Sequence, residues 1–181
     1  FDKFPGLKYC VVECGSWWVG DLLWKADVNF GASWKIKKMS SRMKGLLTKL
    51  PSEYFGDSVF IGASTMSRYE IRERHRNGID ALMWGTDYPH PEGSWPNTVH
   101  RLENDFQDVS IEDTRRLLGL NAIECYDLDV EGLTTVANRI GPTPEKLNQD
   151  PSLRTSPTAK RDARWWFDEY GIEWSGPENG L

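Results

Sequence analysis

The residues with the clearest chemical potential lie in one stretch, 81–96, which reads ALMWGTDYPHPEGSWP. A short apolar segment leads directly into Asp87, and a loop rich in proline and glycine follows. Parallel α/β folds deliver catalytic or metal-binding groups in this way, at the carboxyl end of a buried strand. Asp87 is therefore the first candidate for a functional carboxylate, with a turn-capping role as the structural alternative.

The elements that position Asp87 are predicted from apolar patterning. Residues 7–14, 58–63 and 79–85 are predicted strands, and the first reads LKYCVVEC between two glycines, which is typical of a strand buried on both faces. Helices are predicted between and after the strands, at 19–30, 34–50, 67–77, 98–106, 110–118 and 121–126. The alternation predicts an α/β fold with parallel strands and right-handed crossovers. Three strands cannot close a barrel.

Local signals support two helix starts and one helix end. Ser67 and Glu70 have the spacing of a capping box, and Ser110 precedes Asp113 in a similar way. Gly78 is placed to close the helix that Ser67 opens.

Composition limits the partners and the setting. With 22 Lys and Arg against 27 Asp and Glu, the formal net charge is -5, which argues against nucleic acid and anionic membranes as partners. No apolar run approaches the roughly 20 residues of a membrane helix, and no signal-like start is present, so we predict a cytoplasmic setting. Cys10, Cys14 and Cys125 are predicted to be free thiols.

The chain divides near residue 129. Residues 1–129 form the predicted α/β unit, and 130–181 form a helical and extended tail, with 141–157 extended because of its prolines. The tail ends in an aromatic group, which we expect to pack on the unit or on a partner, with a ligand cover as the alternative; its members are Trp165, Trp166, Phe167, Tyr170 and Trp174. Since the chain opens on Phe1 and reaches a strand at once, we expect a longer polypeptide.

Four segments carry a family resemblance. They are FPGLKYCVVECG at 4–15, LPSEYF at 50–55, GIDALMWGTDYPH at 78–90 and LGLNA at 118–122 followed by Tyr126. In this order they resemble the amidohydrolase-related metal-dependent hydrolases, the group that includes the aminocarboxymuconate-semialdehyde decarboxylase branch. The resemblance implies a TIM-type (β/α)8 barrel with chemistry at the carboxyl ends of its strands. By that mapping the chain supplies strands six to eight, and strands one to five come from a missing N-terminal half or another chain.

The resemblance also implies a divalent metal, with zinc as the best-fitting ion. Asp87 matches the strand-eight aspartate that binds this metal and accepts a proton from its water. The family's other ligands, a His-x-His pair and a further histidine, have no counterpart here, because the only histidines are His75, His90 and His100.

Three further positions are candidates by the same mapping. Glu13 stands where many relatives carry a histidine and is a candidate general base or metal ligand, or else half of an ion pair. His90 is expected to contact substrate or to orient the loop. Trp17 and Trp18 are candidate walls of a substrate pocket, with core packing as the alternative.

The resulting expectation is a metal-dependent hydrolase or non-oxidative decarboxylase acting on a small organic substrate, with the fragment alone inactive. Two alternatives remain. The chain is an incomplete product that needs a partner, with a homo-oligomer as one arrangement, or it is a binding module that holds a small ligand with its tryptophan-rich loops.

Overall fold

The three strands form one parallel sheet in a computed structural model that describes residues 1–33 and 47–147. Strand β1 spans Tyr9–Val12, β2 spans Val59–Ser64 and β3 spans Leu82–Gly85, in the order β1-β2-β3. Both pairings are parallel. The α/β class and the parallel arrangement predicted from the sequence are therefore confirmed.

Seven helices accompany the sheet in the described part of the chain. They are α1 Val19–Ser33, α2 Arg68–Arg72, α3 Thr98–Phe106, α4 Ile111–Arg115, α5 Asn121–Tyr126, α6 Val130–Ile140 and α7 Pro144–Leu147. Two short 3-10 turns precede β2 and β3, at Pro51–Tyr54 and Ile79–Ala81, and a π-helical segment, Arg116–Leu120, joins α4 to α5. The predicted caps are present, since Ser67 and Glu70 form a capping box and Ser110 accepts from the Asp113 amide.

The two faces of the sheet are covered by different helices. Alternate strand residues such as Ile61 and Leu82 enter the main core, together with Phe106 of α3 and Val19 of α1. Their neighbours Phe60 and Met83 point the other way and pack with Cys125 of α5. Both faces of β2 and β3 are thus occupied. All three cysteines are free thiols, as predicted.

Strand β1 differs from its prediction in length and in burial. It is shorter than 7–14, and its end residues Tyr9 and Val12 are 57% and 56% exposed. The expectation of a strand buried on both faces is wrong because β1 is the edge strand of the described sheet, with a neighbour on one side alone. Glu13 leaves the strand because its backbone is left-handed.

Two other predicted elements are shorter than expected. The third strand begins at Leu82 rather than at 79, because Gly78 is left-handed and Ala81 donates a turn hydrogen bond to its carbonyl. Helix α2 ends at Arg72 rather than at 77. The Ile71 carbonyl is bonded by the backbone and side chain of Arg74 instead of continuing the helical pattern.

The start of the tail contains two helices. Helix α6 has no buried residue, whereas Leu147 of α7 is 2% exposed and belongs to the main core. Residues 144–147 are therefore helical, although 141–157 was predicted to be extended. The aromatic group at 165–174 and most of the helix predicted at 34–50 lie outside the described residues. Among those described, no helix combines the length and apolar character that crossing a bilayer requires.

Candidate active-site edge of the sheet

The carboxyl ends of the three strands lie along one side of the sheet, which we call the carboxyl edge. A residue with a left-handed backbone lies just beyond the end of each strand. Glu13 follows β1 with a φ of 58°, Thr65 follows β2 with 38°, and Asp87 lies two residues beyond β3 with 58°. Positive φ is uncommon outside glycine and costs free energy, and such residues cluster at functional sites. The two outer strands therefore each end in an acid held in a strained backbone.

The loop after β3 is folded tightly on itself. The His90 amide donates to the Asp87 carbonyl at 2.8 Å, and the Ser94 amide closes the loop by donating to the Thr86 carbonyl at 2.8 Å. The Tyr88 amide donates to the Thr86 hydroxyl at 3.2 Å. These bonds fix the backbone on both sides of the Asp87 side chain.

Gly93 makes this loop possible. A Cβ at this position would lie 2.8 Å from the Thr86 carbonyl oxygen and 2.9 Å from those of Asp87 and His90. Because such distances are shorter than any real Cβ contact, glycine alone fits without opening the loop.

The loop brings together three side chains that bind metals in other proteins. Asp87 Oδ2 lies 3.7 Å from His90 Nδ1, which lies 3.5 Å from Glu92 Oε1. One donor atom of each residue lies within 4.8 Å of the other two. The Asp87 side chain is 18% exposed, whereas His90 and Glu92 are 58% and 68% exposed. Asp87 and His90 were predicted from the sequence, whereas Glu92 was not, although it lies two residues beyond His90 in the same loop.

Glu13 lies at the same edge but outside this cluster. It follows β1, and β2 separates β1 from β3, so the two outer strands are about 10 Å apart. The Glu13 side chain is exposed, while its amide donates to the Gly62 carbonyl at 3.1 Å. A molecule bound at this edge would have the two acids on opposite sides.

The two candidate tryptophans differ in their surroundings. Trp17 is 64% exposed beside the end of β1. Trp18 packs against the main core, and its Nε1 donates to the Cys14 carbonyl at 2.9 Å. The core-packing alternative therefore describes Trp18, and the substrate-binding role of both residues stays a prediction.

Glu70 supports the edge from the helix side. It is 8% exposed, and its Oε1 accepts from the amide and hydroxyl of Ser16, which follows β1. Its Oε2 accepts from the amide and hydroxyl of Ser67, which follows β2, both at 2.9 Å. One carboxylate thus ties together the chain segments that leave two neighbouring strands.

A second buried acid lies behind Thr65. Arg101 donates to the Thr65 carbonyl at 3.1 Å and to Asp105 Oδ2 at 3.3 Å. Asp105 is 3% exposed. Burial raises the pKa of Asp105 to about 6, and the neighbouring Arg101 charge opposes this shift. The pair holds α3 against the end of β2.

The small parallel sheet, with acids beyond the carboxyl ends of its outer strands, is of the α/β class, and sequence comparison identifies the family. A family model described as amidohydrolase matches residues 1–128, so the chain belongs to the amidohydrolase family. This confirms the resemblance found in the sequence and supports a place in a superfamily of metal-dependent hydrolases and decarboxylases. The small parallel sheet is compatible with part of the family's TIM barrel. The comparison with curated proteins gives no match.

The residues present fit the divalent metal that the family implies. Two carboxylate oxygens and one imidazole nitrogen are ligands that zinc and similar ions accept. The donor set is therefore suitable.

Proposed function

We propose that this chain forms part of the barrel of a metal-dependent hydrolase or non-oxidative decarboxylase that acts on a small organic substrate. In this assignment β1, β2 and β3 are strands six, seven and eight. The observation that carries it is the position of Asp87 beyond the carboxyl end of β3, within the region that matches the amidohydrolase family. Active sites of such barrels lie at that edge.

The exposed edge strand supports the view that further strands complete the barrel. Tyr9 and Val12 of β1 and the nearby Leu7 are half exposed or more. An open edge with apolar side chains invites strand addition. We propose that the N-terminal half of the barrel, from the same polypeptide or another chain, pairs with the open side of β1. We also propose that the isolated fragment is inactive.

The roles of the residues follow from their positions. A bound divalent ion, with zinc as the best fit, would bring the pKa of a water molecule to about 7. Asp87 would hold that ion and receive the proton on its carboxylate. Glu13, across the opening, would act as a second base or acid toward the substrate. His90, Trp17 and Trp18 would contact the substrate or shape its surroundings.

One experiment tests the role of Asp87. Asp87→Asn is made in the polypeptide that carries the complete barrel, and hydrolysis of amides, esters and lactones and release of carbon dioxide from aromatic acids are measured. Loss of the proton acceptor is expected to lower kcat/KM by roughly 10²- to 10⁴-fold. Asp57→Asn is the matched control, because Asp57 precedes β2 at the opposite end of the strand. Unchanged turnover in Asp87→Asn would contradict the proposal.

The exposed aromatic residues favour one second candidate, a binding module. Trp17, Tyr88 and Trp95 are 64%, 65% and 67% exposed around the same edge. Aromatic side chains of this kind suit a small apolar ligand. If Asp87→Ala keeps full affinity for such a ligand, and chelators do not change it, the binding module is the better assignment.

A further inference from the structure

Two of the three thiols of this chain lie together on the face of the sheet opposite the main core. Cys10 of β1 packs against a small cluster formed by Phe60, Met83 and Cys125 of α5. We propose that Cys10 and Cys125 are a redox pair that a peroxide converts into a disulfide, which ties the edge strand to α5. The inference goes beyond the proposed hydrolase or decarboxylase function and does not depend on it.

The register of the sheet explains why the two thiols meet. Cys10 is the partner of Phe60 across β1 and β2, so both side chains leave the sheet on the same face. Helix α5 packs on this face and places Cys125 in the same cluster. Cys125 is 7% exposed, whereas Cys10 is half-buried. A small oxidant therefore reaches Cys10 more readily than Cys125.

A tyrosine hydroxyl contacts the more accessible of the two sulfurs. The Tyr126 hydroxyl donates to Cys10 Sγ at 3.5 Å. This bond raises the pKa of Tyr126 to about 12, with burial adding to the shift, so the hydroxyl keeps the proton that it donates. A hydrogen bond to the charged form of an acid favours that form, and the thiolate is the reactive form of cysteine. The contact therefore favours reaction at Cys10.

Cys125 suits the second step of the oxidation rather than the first. Burial raises the pKa of the Cys125 thiol to about 11, and a hydrogen bond with the Cys10 thiol adds to the shift, while the charge of Lys8 opposes it. A thiol that keeps its proton is a poor nucleophile toward peroxide. The hydrogen bond to Cys10 also places Cys125 as the nearest reaction partner once Cys10 has been oxidised.

The oxidation balances with one hydrogen peroxide per chain. The Cys10 thiolate attacks one peroxide oxygen and the O–O bond breaks. The second oxygen leaves with the thiol proton as water, and Cys10 becomes a sulfenic acid. The Cys125 sulfur then attacks the sulfenic sulfur, the S–O bond breaks, and the hydroxide leaves with the Cys125 proton as a second water. The two thiols are oxidised by two electrons, and the peroxide is reduced to two waters.

Cys14 is a matched control within the same chain. It is partly buried, as Cys10 is, but it lies beyond β1 and outside the Cys125 cluster. Its Sγ donates to the Gly15 carbonyl at 3.7 Å. If exposure alone decided the reaction, Cys14 and Cys10 would be oxidised alike.

The test is a thiol map of the reduced 181-residue chain after treatment with an equimolar amount of hydrogen peroxide. Remaining thiols are alkylated, the chain is digested without reductant, and the peptides are identified by mass spectrometry. We expect the peptides of Cys10 and Cys125 to be linked, with two hydrogens fewer than the separate peptides, and Cys14 to be recovered alkylated. Cys10→Ser and Cys125→Ser should each abolish the link, and Cys14→Ser should leave it unchanged.

Tyr126→Phe tests the role of the hydroxyl. It removes the donor to Cys10 Sγ and should slow formation of the link by roughly 2- to 10-fold, the effect of one hydrogen bond. The rate at which Cys14 is alkylated should stay the same, which a general loosening of the fold would not allow.

A second measurement uses the unaltered chain alone. Cys10 lies 116 positions from Tyr126, the neighbour of Cys125, so the disulfide closes a long loop and restricts the unfolded chain. The urea midpoint should therefore rise after peroxide treatment and return to its first value when dithiothreitol is added. Oxidation of the cysteines to sulfinic acids without a link would overturn the inference, and so would links that join Cys14 or two separate chains.

Discussion

Acidic and amide side chains are buried and hydrogen-bonded in one region of this molecule and exposed to solvent in another. Between the sheet and its helices, Glu70 accepts four hydrogen bonds, and Asn121 of α5 donates to the carbonyls of Ile79 and Leu82 at 2.7 and 2.6 Å. At the carboxyl edge, Glu13 and Glu92 are exposed. We call these groups the buried polar contacts and the edge acids.

The difference shows where stability and reactivity are located. A buried polar group that loses its partner costs about 1–3 kcal/mol, so the buried polar contacts must be fully matched for the fold to persist. An exposed carboxylate carries no such requirement and stays available to an ion or substrate. Substitutions among the buried polar contacts should therefore lower stability, and those among the edge acids should alter function.

Glu70→Ala should have the largest effect. It leaves the amides of Ser16 and Ser67 without acceptors in a buried region, so the free energy of unfolding should fall by about 4 kcal/mol. Urea unfolding measures this, with the exposed Glu112→Ala expected to change it by less than about 0.5 kcal/mol. If both variants unfold alike, Glu70 does not tie the two strand ends together.

Asp105 should make stability depend on pH. Its pKa is raised from 3.8 to about 6 in the folded chain, so between these values the folded state keeps a proton that the unfolded state loses. The free energy of unfolding should fall as pH rises from about 4 to 6, by about 3 kcal/mol in total, and then level off. In Asp105→Asn this part of the decline should disappear. Equal pH profiles for the two proteins would show that the carboxyl group titrates normally.

Asn121→Ala should have a smaller but clear effect. It removes the donor to two carbonyls at the start of β3 from a residue that is fully buried, and should cost about 2 kcal/mol in urea unfolding. Asn121→Asp should cost at least as much, because aspartate keeps an acceptor but loses this donor. A stable Asn121→Asp variant would contradict the assigned contact.

Glu13→Gly should have the smallest effect and the opposite sign. A φ of 58° is unfavourable for glutamate and easy for glycine, so thermal unfolding should show stabilisation of about 1 kcal/mol. Glu13→Gln keeps the unfavourable backbone and should leave stability unchanged. Destabilisation by glycine would mean that the carboxylate makes a structural contact, and Glu13 would not belong with the edge acids.

The sequence predicted what local patterns determine. The strand and helix alternation, the Ser67 to Glu70 capping box and the Ser110 cap depend on residues within a few positions of one another. Asp87 was prominent because an apolar strand precedes it directly, and its proximity to His90 follows from a spacing of three residues in a tight loop.

Two of the missed features depend on distant parts of the chain, and the third depends on how one loop closes. The exposure of β1 reflects its edge position, which its apolar sequence does not encode. The capping box predicted the contact between one carboxylate oxygen of Glu70 and Ser67. The other oxygen accepts from Ser16, which lies 54 positions away in the sequence. The place of Glu92 beside His90 depends on the loop closure around Gly93, which no periodic pattern reveals.

Because β1 is an edge strand, hydrogen exchange at two of its backbone amides can report whether another strand has docked on it. The Glu13 amide donates to Gly62 of β2, and the Tyr9 amide donates to Ser58, just before β2. The alternation of a parallel ladder therefore turns the amides of Cys10 and Val12 toward the open side. Deuterium would enter these two outward positions quickly in the isolated chain and slowly once a neighbouring strand docks. Two peptide groups thereby record whether the barrel has been closed.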